Sequence, residues 1–184
     1  RFTYHSMPRS DSSVPMKATT RPPRPGERDG HDYHFLTGAE FERRVVAGEF
    51  LEHATYGGHR YGTLRAEIDR VLGNGCHAVL DIEVEGARQV MDRMPDAVRV
   101  FVLPPSARVL VERLRSRDTE TPETRRVRLA RAAEELLAVT EYDYVVVNEH
   151  LRDAVNAVGA ILDAESNRVA RRRDLAGFVE NLRQ

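Results

Sequence analysis

Arg21 and Arg24 stand three residues apart in the run TTRPPRPGE, and Tyr33 follows after a glycine-containing turn. Proline fixes φ and lowers the entropy cost of holding a loop in place. Two planar guanidinium forks on a stiffened loop suit a phosphate dianion, which a fork can grip through two parallel hydrogen bonds. A solvated proline-rich linker would carry the same residues, and the run alone leaves both readings open. Arg113, Arg115 and Arg117, then Arg125, Arg126 and Arg128, form a second basic group around DTETPET. Read as chemistry, it is a flap that brings guanidiniums to a polyphosphate. Read as structure, it is a solvated helix paired with Glu112 and Glu123, and these residues by themselves favour that reading. Asp81 and Glu83 alternate with apolar residues at the end of HAVLDIE, so a strand places both on one face. Acids are costly inside a sheet, but at its mouth they can hold a water-clad Mg2+ or accept from a base. Glu52, Tyr61 and Thr63 lie along another short strand-like stretch, and Lys17 is the only lysine.

Elements that could position these residues follow from pattern. TGAE is a capping box, and it predicts a helix from Thr37 that stops at Gly48. EFLEHATY reads as a short strand. GTLRAEIDRVLGNG reads as an amphipathic helix ended by Gly73 and Gly75. HAVLDIEV, VRVFVL and YDYVVVN are apolar runs of strand length. Between them lie helical EGARQVMDRM, a helix capped by Ser106 in SARVLVERLRSR, and helical RRVRLARAAEELLAV. A long helix is expected from about Leu151. Strands that are apolar throughout and alternate with helices indicate a parallel sheet covered on both faces. Ligands of such sheets bind beyond the C-terminal strand ends, here Asp81 with Glu83, Pro104 with Pro105, and Asn148.

The 184 residues suffice for one domain with a sizeable core. A net charge of -1 gives no global reason to expect a nucleic-acid or membrane partner. No apolar run approaches bilayer length, and no secretory leader is visible. One cysteine, Cys76, excludes an intrachain disulfide, fits a reducing, cytoplasmic setting, and is expected as a small core residue at a strand start. Residues 1–16 have no helical or strand period and are expected to be irregular; an opening Arg1 suggests a fragment, a processed chain or foreign residues before Met7.

TTRPPRPGERDGHDYHF, GEFLEHATYGGHRYGT, VLDIEVEGARQV, VFVLPPS, ERLRSRDTET and YDYVVVN, in that order and without large insertions, resemble the motifs of the guanylate kinase family. The resemblance implies an α/β fold: a parallel sheet flanked by helices, as in a P-loop nucleoside monophosphate kinase. A small α+β GMP-binding subdomain at about 17–75 and an Arg-rich lid at about 117–128 would complete a domain over 17–184. It implies ATP-dependent phosphorylation of GMP to GDP, with GMP and ATP as partners and Mg2+ accompanying ATP. Arg21, Arg24, Tyr33 and Tyr61 would hold the GMP phosphate. Glu52, Thr63 and Asp81 would read the guanine edge. Glu83 would act near Mg2+ and the moving phosphoryl group. Arg117 and Arg128, supported by Arg113, would stabilise the ATP phosphates. Lys17 stands where the family has a phosphate-contacting serine and would supply a cation to that phosphate. Asp118 stands where glycine is usual, and His53 where tryptophan is common. The family's GxxxxGK[ST] phosphate loop and its first strand are not found in this sequence, which has no Gly-Lys pair. Truncation, a wrong start and true divergence would each account for that, and activity of the chain alone is expected to be slow or absent. Two alternatives follow: a weakly active or inactive GMP-binding relative, and a phosphopeptide-binding interaction module. Base-reading carboxylates and lid arginines argue against the second.

Overall fold

The structure, a computed structural model, describes residues 12–14, 16–115, 122–171 and 175–183. It consists of two units that meet in sequence at Ala97 and Val98. The first contains β1 (Ser12–Ser13), β2 (Lys17–Thr19), β3 (His34–Phe35), α1 (Gly38–Val46), β4 (Phe50–Tyr56), β5 (His59–Leu64), α2 (Arg65–Gly73), β6 (His77–Ala78) and α3 (Val84–Arg93). Four of the strands make a sheet in the order β3-β2-β5-β4. β2 runs parallel to β3 and antiparallel to β5, and β4 is antiparallel to β5.

The β4–β5 hairpin turns on Gly57 and Gly58, at φ +58° and +79°. Two consecutive positive φ values are what a tight two-residue hairpin requires, and glycine adopts them without strain. The turn fixes Tyr56 opposite His59, and the register runs back to His53 opposite Gly62 and Glu52 opposite Thr63. One further step back, the pairing shifts, so that Phe50 lies opposite Leu64 and Leu51 is the extra residue of a bulge.

Directly opposed residues point to the same side of a sheet. Ala18, Gly62 and His53 therefore share one face, and α1 covers it. Ala18, Phe41, Phe50 and Leu64 form a buried cluster there, with the Phe41 and Phe50 rings stacked at 4.4 Å and His53 edge-on to both. A Cβ on Gly62 would come within 2.7 Å of the Phe50 ring, so glycine is what lets that ring lie on the sheet. Thr37 starts α1: its side-chain oxygen accepts from Glu40 N at 3.1 Å. Hydrogen bonds from Arg43 and Arg44 lower the Glu40 pKa to about 2. The bulged Leu51 turns instead to a second cluster with Ile68 of α2 and Val90 of α3, joined by Leu80, Ile82 and Met94.

Four expectations need correction. Residues 1–16 were expected to be irregular, but Ser12–Ser13 forms β1. HAVLDIEV was expected as one strand, but only His77–Ala78 pairs, in parallel with Ser12–Ser13. Leu80 and Ile82 keep their apolar role in the second cluster without a ladder. Gly62, Thr63 and Leu64, expected at the head of a helix, complete β5, because β2 and β4 pair with them on either side. Cys76 is half-buried before β6 rather than a core residue, its thiol 3.8 Å from Asn74 O.

The second unit contains β7 (Val100–Leu103), α4 (Ala107–Arg115), α5 (Pro122–Leu137), β8 (Tyr144–Val147), α6 (Leu151–Ser166) and α7 (Leu175–Leu182). β7 and β8 pair in parallel, Val100 with Tyr144 through Leu103 with Val147. Parallel neighbours need a crossover, which α4 and α5 supply. Ser106 Oγ accepts from Val109 N at 3.2 Å at the head of α4. The Arg99 fork closes on Asp143, with Nε–Oδ2 at 3.0 Å and Nη2–Oδ1 at 2.6 Å. The long helix expected from about Leu151 is α6, 16 residues ended by Asn167, whose Nδ2 donates to Asp163 O at 2.9 Å. Among the described residues no helix is long and apolar enough to cross a membrane.

Candidate functional site

The face of the small sheet opposite α1 is polar, and the register arranges it in two rows. The first row is Lys17, Thr63 and Glu52; the second, two residues along each strand, is Thr19, Tyr61 and Ala54. Thr63 has no exposed surface and Glu52 is 4% exposed. A buried carboxylate needs donors, and Thr63 Oγ1 donates to Glu52 Oε1 at 2.7 Å. The other oxygen, Oε2, lies against α3: a Cβ on Gly86 would sit 2.8 Å from it. Helix α3 also fixes the backbone on both sides of Glu52. Gln89 accepts from His53 N at 3.1 Å and donates to His53 O at 2.8 Å. Arg93 Nη1 donates to the carbonyls of Leu51 and, at 3.4 Å, Phe50. Lys17 Nζ donates to the backbone carbonyl of Asp81. Asp81 itself is exposed, and Glu83, half-buried, is the residue that precedes the first turn of α3 without capping it.

The second row leads to an arginine held among aromatic rings. Arg21 is 8% exposed, and its Cζ lies 5.5 Å from the Tyr33 ring centroid and 5.8 Å from that of Phe35. Tyr33 meets Tyr61 edge-on at 6.4 Å. Arg21 Nη2 reaches both oxygens of Glu27, at 2.9 and 2.8 Å, and Nη1 donates to Pro22 O at 2.6 Å. Its Nε is buried without a hydrogen-bond partner. Burial works against the Arg21 charge, but the hydrogen bond and charge of Glu27, with help from Tyr61, outweigh it and raise the pKa. Glu27 in turn accepts from Arg24 N at 2.7 Å. That backbone bond is the first cause of its lowered pKa; burial opposes it, and the Arg21 guanidinium adds to it. The Arg24 side chain is exposed.

The first unit thus brings together Lys17, Arg21, Tyr33, Glu52, Tyr61, Thr63 and Asp81. Arg113 and Arg128 belong to the second unit. Arg113, exposed on α4, donates from Nη2 to Asn148 O at 3.0 Å; Arg128, half-buried on α5, contacts Leu114 O from Nη1 at 3.5 Å. Arg117 and Asp118 lie outside the described residues. Glu27, Gly86 and Gln89 were not singled out in the sequence. An acid at the end of RPPRPGE, flanked by arginines, was the one signal available for Glu27.

The arrangement offers acceptors at Glu52 and Asp81 and, beyond the second row, a cation in an aromatic setting with an unused N–H. The family model described as "Guanylate kinase" matches residues 3–165. The guanylate kinase of Symbiobacterium thermophilum is 47% identical over 167 residues, covering 91% of this chain and 78% of its own. That of Frankia casuarinae is 50% identical over 149 residues, covering 81% of each chain. The crystal structure of guanylate kinase from Anaplasma phagocytophilum superposes with a TM-score of 0.75 at 34% identity, over 92% of this chain and 84% of that one. With a family model spanning most of its length and relatives matched over most of theirs, the chain belongs to the guanylate kinase family.

Proposed function

We propose that this chain binds GMP on the polar face of its small sheet and phosphorylates it to GDP with ATP as donor. The observation that carries the reading is the buried Glu52–Thr63 pair on one row and the Arg21–Tyr33–Tyr61 cluster beside the next. The rows are two residues apart along β5, roughly 6.5 Å at strand rise, a spacing suited to the base and phosphate of one nucleotide. Glu52 accepts from guanine N1–H and, with Asp81, from the 2-amino group. Adenine has no donors there, so the Glu52 oxygen not bonded to Thr63 would be left unpaired, and unpaired buried groups discriminate strongly. Arg21 and Arg24 take the phosphate oxygens, with the hydroxyls of Tyr33 and Tyr61 beside them. Arg113, Arg117 and Arg128 counter the charge of the ATP phosphates and of the transition state.

ATP travels with Mg2+, which takes a carboxylate or two together with phosphate oxygens and waters rather than an all-protein cage. The hard oxygen donors of Glu83, at the N-terminus of α3, fit that chemistry; the ion would neutralise the phosphates and orient the γ-phosphoryl group. Glu83 would hold it through water, and Asp81 would stay with the base.

The 184 residues contain no GxxxxGK[ST] run, and that observation favours a second reading of the chain by itself: GMP is bound but phosphate moves slowly. Loss of one preorganised electrostatic element costs on the order of 100-fold in rate. Nucleotide titrations and a coupled assay of GDP formation test both readings. GMP should bind at least about 100-fold more tightly than AMP. Equal affinities would overturn the assignment of Glu52, Thr63 and Asp81. GMP-selective binding without turnover would leave the second reading standing.

A further inference from the structure

We infer that Thr19 is a positioning residue for the phosphate end of the site: its buried hydroxyl sets where the Arg21 guanidinium stands, without touching the nucleotide. The inference rests on the proposed binding of GMP. Thr19 is the last residue of β2 and has no exposed surface. It lies directly opposite Tyr61, and the register between β2 and β5 ends with that pair. Beyond it the chain bends, and two threonine hydroxyls join the backbone in closing the end of the sheet. Arg60 O accepts from Thr20 N at 3.0 Å and from Thr19 Oγ1 at 2.9 Å, and Arg60 N donates to Thr20 Oγ1 at 2.9 Å. Thr19 Oγ1 also accepts from Arg21 N at 3.1 Å. One oxygen thus fastens the backbone of Arg21 to the residue that precedes Tyr61.

Proton accounting separates this role from that of a ligand. A hydroxyl has one proton to donate, and that of Thr19 goes to Arg60 O. None is left for a phosphate oxygen, and the remaining lone pair would repel one. What the hydroxyl supplies is an acceptor two residues back along the chain, the local bond that threonine offers where a chain leaves regular structure. Without it the Arg21 N–H would be buried with no acceptor, a cost that favours another backbone path. On the other side, Pro22 disfavours helical backbone at Arg21. Held from both sides, Arg21 lays its guanidinium beside Tyr33 and Phe35, with Cζ 5.5 and 5.8 Å from their ring centroids and Nε buried without a partner. A guanidinium grips phosphate in a fixed fork geometry, so a displacement on the order of 1 Å spoils the grip.

NMR titration of the 184-residue chain with GMP and guanosine tests this in wild type, Thr19→Val and Thr19→Ser. Thr19→Val keeps the shape and removes the hydroxyl. It should weaken GMP about 10-fold, the scale of a lost contact to a charged group, and change guanosine by less than about 2-fold. Thr19→Ser, which keeps the hydroxyl, should bind GMP as wild type does. In an Arg21→Ala background, Thr19→Val should weaken GMP by less than about a further 2-fold, because its effect runs through the arginine. Equal losses for both ligands, or none, would overturn the inference. So would a loss in Thr19→Ser as large as in Thr19→Val, or a full loss from Thr19→Val once Arg21 is gone. Should Thr19→Val not fold, Thr19→Cys supplies the comparison, since a thiol bonds weakly. It should weaken GMP relative to guanosine, and an unchanged ratio would overturn the inference. A wild-type chain that binds GMP no better than guanosine would instead bring down the phosphate assignment of the proposed function, and this inference with it.

Discussion

Glu27 holds the Arg21 guanidinium with both carboxylate oxygens and the backbone of Arg24 with one of them. One acid thus sets the geometry of both arginines assigned to the phosphate. It also compensates a charge that burial would otherwise disfavour. Glu27→Gln should weaken GMP by about 10-fold, the scale of losing a charge-assisted contact, while leaving guanosine binding unchanged; titrations with both ligands check it. A tighter GMP complex would mean that the carboxylate competes with phosphate rather than preparing for it. The lowered pKa carries a pH consequence whose sign is fixed by linkage. Its folded value lies below the ordinary 4.5, so the pair contributes fully above 4.5 and fades as pH falls through the lowered value. The Glu27 carboxyl resonance should therefore titrate with a midpoint below 4.5.

Among the elements, α3 acts as an artificial neighbour for β4, the outermost strand. An edge strand has unpaired backbone groups, and the Gln89 amide satisfies a donor and an acceptor of His53 as a further strand would. Gly86, one turn earlier, leaves room for the Glu52 carboxylate. Gln89→Leu removes both bonds and should cost about 1–3 kcal/mol in denaturant unfolding. It should also lower GMP affinity more than guanosine-independent phosphate affinity, measured with inorganic phosphate, because Glu52 is what it disturbs. Helices with strong local signals were legible: Thr37 with Glu40 announced α1, and Ser106 announced α4. Glycines 57 and 58 were not read as a turn, and of the two strands they join only EFLEHATY was expected. β2 and β3 span three and two residues, too few to show any period, and their identity as strands comes from β5 and from each other. Glu52 and Thr63 were named through their motifs, but their hydrogen bond depends on a bulge at Leu51 that no local pattern announces. Gln89 went unnoticed because its partner is 36 residues away.

At the level of the whole molecule, the residues assigned to GMP lie in the first unit and the described arginines assigned to ATP lie in the second. Binding and transfer should therefore separate under mutation. Arg128→Ala should reduce GDP formation by at least about 10-fold, as removal of a charge-stabilising group does, while GMP affinity stays as it was. The assay needs a chain with measurable turnover; a parallel loss of GMP affinity would place Arg128 in the wrong role. The hairpin has a consequence of another kind, for how this sequence can drift. Its two glycines set which side of β5 meets which environment. A single inserted residue that slid β5 by one position would deliver Tyr61 and Thr63 to the phenylalanines and Gly62 to the polar face. Next to the two glycines, Thr55 and Tyr56 have exposed side chains, whereas insertions and deletions at the turn exchange core face for polar face. Length in this hairpin should be far more constrained through descent than the identity of the residues flanking its turn.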